Sequence, residues 1–66
     1  MPGYMSRNDA IREYSKDKDE LWVYDIQKYL FNMNKKYDSN RASIAQFISK
    51  HMTFKRVAMN VYRRVD

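Results

Sequence analysis

Pro2 and Gly3 are the only proline and glycine in the chain, so the 63 residues that follow contain neither. Tight hairpins draw on glycine, or on Asn-Gly pairs, to reach positive φ. No such pair occurs after Gly3, and no run of strand length alternates apolar with polar residues. The apolar side chains recur instead at three- and four-residue steps, the helical period. These features predict an all-α protein. It is a small bundle of three to four helices forming a single helical domain over residues 1–66, with residues 1–5 disordered.

Four helices follow from spacing and caps. Ser6 is a cap for the first, with Asp9 three residues on and Ala10, Ile11 and Tyr14 as its apolar strip. Lys16-Asp17-Lys18-Asp19 is then a solvated link. Asp19 caps a second helix carrying Trp22, Val23, Ile26, Tyr29, Leu30, Met33 and Tyr37 on one stripe, which Asp38-Ser39-Asn40 ends with turn chemistry. A third runs from Arg41 to His51, capped by Ser39 or Asn40, with Ile44, Ala45, Phe47 and Ile48 inward. Thr53 caps a fourth that runs to the end and turns Phe54, Val57, Ala58, Val61 and Val65 toward the core.

Chain totals narrow the function classes. A chain of 66 residues buries roughly 60% of its unfolded surface. With no cysteine and a single histidine it has neither a disulfide frame nor a zinc quartet, and no metal or cofactor is expected. The longest apolar run, Leu21-Trp22-Val23-Tyr24, is far short of the ~20 residues of a membrane span. The N-terminus lacks the apolar core of a signal peptide, so a cytoplasmic protein is expected. His51 and Ser49 have no acid placed to complete a triad, and no glycine-rich phosphate loop exists. The chain reads as a non-enzyme.

Charge is the most informative total. Residues 1–40 hold seven lysines and arginines against seven acids, whereas residues 41–66 hold six against Asp66 alone. The entire surplus of +5 sits in the last 26 residues, which points to a polyanionic partner.

Ala45 is small where two helices would cross, Ile48 closes the first helix and Thr53 caps the second. Val57 and Val61 face inward four residues apart. On these positions, residues 43–65 resemble the helix-turn-helix of DNA-binding proteins, whose second helix enters the major groove. With the sequence stopping at Asp66, no wing hairpin is expected. The resemblance implies sequence-specific or semi-specific binding of double-stranded DNA through the basic last helix, as a small regulator of transcription or replication. Thr53, Lys55, Arg56 and Asn60 would lie at the groove. Arg41, Lys50, Arg63 and Arg64 would take flanking phosphates, and Met59 and Tyr62 would meet bases. Tyr24 and Phe31, exposed rings on the second helix, are the expected homodimer joint. Two alternatives stand beside this reading. One is a regulator docking its basic, aromatic face on an acidic protein such as a polymerase subunit; the other is RNA binding.

Overall fold

The computed structural model describes residues 5–65 of the chain. Helix α1 (Arg7–Ser15) opens as its sequence predicts, with the Ser6 hydroxyl accepting the Asp9 amide at 3.2 Å. Its buried Ala10 and Ile11 start the core, and the buried Ser15 hydroxyl is satisfied by the Ile11 carbonyl at 2.9 Å.

The next segment departs from expectation. Asp19 caps no helix. Glu20–Trp22 is instead a short strand, β1, which turns Leu21 inward and leaves Glu20 and Trp22 outward. Helix α2 (Val23–Met33) follows at once and buries Val23, Ile26 and Leu30. It ends four residues before Tyr37. The connection to α3 is built from side chain–backbone turns, Asn34 Oδ1 accepting the Lys36 amide at 2.9 Å and Asp38 Oδ1 the Asn40 amide at 3.0 Å. Such local bonds compete with helix continuation. Helix α3 (Arg41–His51) has its predicted bounds. Asn40 Oδ1 accepts the Ala42 and Ser43 amides, and Ile44, Phe47 and Ile48 are buried.

The largest correction lies beyond α3. Residues 54–64 form no helix. Strands β2 (Phe54–Ala58) and β3 (Val61–Arg64) make an antiparallel hairpin, and β1 pairs with β3, giving a three-stranded sheet of order β1-β3-β2. The protein is therefore a mixed α/β fold of three helices and one antiparallel sheet, and neither the all-α assignment nor the absence of a hairpin after the helix pair holds. Thr53 is no helix cap; its carbonyl accepts the Val65 amide at 2.9 Å beside the hairpin. The turn uses Asn60, whose φ of 62° is the one positive value on a non-glycine residue among the described residues. Asparagine is among the few side chains that tolerate this region. Composition favours the hairpin as well, since Thr53, Phe54, Val57, Val61, Tyr62 and Val65 are β-branched or aromatic.

The supposed valine stripe divides accordingly. Val61 is buried, whereas Val57 and Val65 are half exposed. Val57 occupies a register irregularity: Arg56 stands opposite Tyr62 and Ala58 opposite Val61, with Val57 the extra residue between them. Phe54 and Tyr62 reach the core beside Ile11, Leu21, Ile26, Leu30, Ile44 and Ile48, with Met5 packed at its margin. The Tyr37 hydroxyl donates to the Met5 carbonyl. The expected disorder of residues 1–5 otherwise concerns positions outside the described residues. No helix among the described residues is long and apolar enough to cross a membrane.

Candidate nucleic-acid interface

Wrapping α3 around its axis at 100° per residue sets Ala42, Gln46, Ser49 and Lys50 opposite the buried Ile44, Phe47 and Ile48, while Ala45, inward as expected, packs against the core. Two of these four are small. The outward face of α3 is thus a shallow surface from which Gln46 and Lys50 project. Arg41 stands at its N-terminal end, with its guanidinium 4.9 Å from the centre of the Tyr24 ring.

The hairpin extends this surface. Directly opposed residues of an antiparallel pair project to one face. Arg56 therefore shares a face with its partner Tyr62, which is buried and whose hydroxyl oxygen accepts from the Ser49 hydroxyl at 3.3 Å. That contact ties β3 to the C-terminal half of α3 and sets Arg56, exposed, on the α3 side of the edge strand. Lys55 faces the other way, opposite Arg63, which in turn lies opposite Glu20. Arg63 is neutralised by Glu20, its Nη2 lying 3.2 Å from Oε2. The like-charged cross-strand pair of Lys55 and Arg63 thus leaves Lys55 in excess. Arg41, Lys50, Lys55 and Arg56 have no acidic partner within ion-pair distance among the described residues. At the hairpin tip Met59 is 77% exposed.

Other residues expected at the site have structural work instead. Arg64 donates four hydrogen bonds to the carbonyls of Ser15, Lys16 and Lys18, at 2.6 to 3.3 Å. It also lies over the Phe54 ring at 4.8 Å. It closes the C-terminal end of α1, where carbonyls lack helical partners, and is not presented to a ligand. Tyr62 belongs to the core. Asn60 shapes the turn, and its carbonyl accepts the Val23 amide at 2.9 Å. Thr53 is exposed beside the hairpin, without the helix N-terminus that was to bind phosphate.

The sequence reading of the site left out Ala42, Gln46 and Ser49, which recur at i, i+4 and i+7 on the side of α3 away from its buried residues.

Glu20 carries the clearest electrostatic perturbation nearby. Its carboxylate accepts the Trp22 indole N–H at 3.1 Å and Arg63 at 3.2 Å, and these bonds, Trp22 foremost, hold its pKa below the ordinary glutamate value. Among the described residues, no group of three or more His, Asp or Glu side chains is placed to hold a metal ion. No family model matches the chain, and neither a curated protein nor a solved structure matches it.

Proposed function

We propose that the protein binds double-stranded DNA, with α3 as the helix that enters the major groove and the β2–β3 hairpin as a wing against the backbone. The helix-turn-helix resemblance of residues 43–65 is lost with the last helix, and the reading rests on α3 and the hairpin instead. One observation carries the reading: the small-residue face of α3, with Gln46 and Lys50 projecting from it, is continuous with Arg56 across the Ser49–Tyr62 contact. Small residues let a helix approach base edges closely, and glutamine pairs in bidentate fashion with adenine. Arg41, Lys50 and Arg56, with Lys55 from the other side of the hairpin edge, supply phosphate contacts, which fix position without reading sequence. Edge strand β2 adds unpaired backbone amides along the same border, and Met59 projects an apolar tip of the kind that wedges into a groove.

RNA is the weaker reading, because single-strand recognition stacks bases on exposed rings, whereas the rings beside the α3–hairpin face, Phe47, Phe54 and Tyr62, are buried, and the exposed Tyr24 and Phe31 lie on α2. The role of such a protein would be regulatory, in transcription or replication.

Fluorescence anisotropy with a duplex of about 20 base pairs tests the proposal. Four phosphate contacts predict a slope of log K against log salt of about −3.6. Changing Lys50 and Arg56 together to alanine should bring that slope to about −1.8, and Gln46→Ala should weaken binding to particular sequences more than to random duplex. A chain that is folded by circular dichroism yet binds no duplex at about 50 mM salt overturns the reading. Tighter binding to single-stranded RNA than to duplex would replace it with the RNA one.

A further inference from the structure

A second surface, which shares only Arg41 with the duplex reading, lies on the outward side of α2. Tyr24, Lys28 and Phe31 recur at four- and three-residue spacing on one stripe. The two rings are 50% and 53% exposed. Between them and the α2–α3 connection runs a mainly apolar groove of about 450 Å³, lined by Tyr24, Gln27, Lys28, Phe31 and Ser39. Gln27 Nε2 donates to the Ser39 carbonyl at 2.7 Å, which holds this side chain at the groove floor and away from the rings.

The charges around the groove select its occupant. Lys28 stands between the two rings and Arg41 lies over one of them, and neither has an acidic partner among the described residues. Asp25 is 60° further round the wheel than Lys28 and acts on the other side, where its charge, after burial itself, pushes the Tyr14 phenol up. A second copy of the chain suits this surface poorly. An antiparallel pairing of two α2 helices about a two-fold axis between Tyr24 and Phe31 would bring Lys28 against its own copy. The homodimer joint expected at Tyr24 and Phe31 therefore meets a like-charge contact at its centre.

We propose that this groove docks a short acidic amphipathic helix of a partner protein. Its apolar anchors would meet Tyr24 and Phe31, and a carboxylate between them would meet Lys28. The seven-residue step between the rings spans about 10 Å, two helical turns, which matches anchors at i, i+3 or i+4, and i+7 on the partner.

The probe is a labelled synthetic peptide of about 15 residues, long enough to form a helix against a groove, with leucines at the anchor positions and glutamates elsewhere. Its counterpart replaces the glutamates with lysines. Anisotropy should show the glutamate peptide binding at least about tenfold more tightly than the lysine one. Amide shift changes should centre on α2 and residues 39–41. Lys28→Glu should reverse the preference, and Phe31→Ser should abolish binding while leaving the circular dichroism unchanged. Equal binding of the two peptides, no binding of either, or shift changes centred elsewhere would overturn the proposal. So would sedimentation in which the chain dimerises and Phe31→Ser makes it monomeric, because the groove would then be filled by a second copy.

Discussion

Asn60 and Arg64 decide most for their size. Asn60 holds the left-handed conformation that the hairpin turn requires. A Cβ-branched residue there costs roughly 1–2 kcal/mol, whereas glycine is free of the penalty. Urea denaturation should find Asn60→Gly within about 0.5 kcal/mol of the parent and Asn60→Val less stable by about 1–2 kcal/mol. Equal stability of the two variants would mean that the turn is made otherwise. Arg64 is a test of role. Removing its guanidinium takes a donor from the Lys16 and Lys18 carbonyls and leaves the Ser15 carbonyl only the Lys18 amide. Arg64→Ala should therefore cost about 1–3 kcal/mol, and Arg64→Lys should recover little, because an ammonium cannot reproduce the planar fork. Arg56→Ala should do the reverse, leaving stability within about 0.5 kcal/mol and weakening duplex binding. Two arginines eight residues apart in one basic segment thus differ, Arg64 bonded to backbone carbonyls and Arg56 exposed, and composition cannot tell them apart.

Among the elements, the pairing of β1 with β3 is reported by Glu20. Its lowered pKa means that the folded state holds the carboxylate form more firmly than the unfolded chain does. The stabilisation is therefore present above the ordinary glutamate range and is lost as pH falls through the folded value. Carbon-detected NMR titration should place Glu20 below a free glutamate. Trp22→Phe and Arg63→Ala should each raise it; an Arg63→Ala chain with Glu20 unmoved would mean the strands are not in this register. The α3 bounds were legible in the sequence because everything that sets them is local: the Asn40 cap, the apolar spacing and the polar stripe. Residues 54–65 were misread for a definable reason. A two-residue turn at Met59 and Asn60, and the extra residue Val57, break the alternation of the strands. What remains, Phe54, Val57, Ala58, Val61 and Val65, falls by coincidence on a helical stripe. Strand β1 spans three residues, too few for any period to declare itself. The candidate site followed the same pattern: Arg41, Lys50, Lys55 and Arg56 were legible from charge, but that Arg56 lies on the α3 side of the sheet and Lys55 on the other depends on a hairpin that was not.

At the scale of the whole molecule, the sheet binds the ends of the chain together, since Glu20–Trp22 pairs with Val61–Arg63 and the Arg64 amide donates to the Asp19 carbonyl at 2.8 Å. The helices are not a self-sufficient unit to which a hairpin has been appended. Phe54 and Tyr62 cover the core from the sheet side, and burying two such rings contributes roughly 3–6 kcal/mol. Domains in general hold only about 5–15 kcal/mol, and one this small belongs near the lower end. Ending the chain after Thr53 should therefore remove most of its stability along with the sheet, so that α1, α2 and α3 lose helical circular dichroism although their own sequences are intact. In the full chain, helical ellipticity and the fluorescence of Trp22, which reports on β1, should fall together through one urea transition. Two separated transitions, or a shortened chain that keeps its helices, would show that α1–α3 fold on their own. The hairpin would then be free to move relative to α3, and the continuous face from Gln46 to Arg56 on which duplex binding rests would not be held in place.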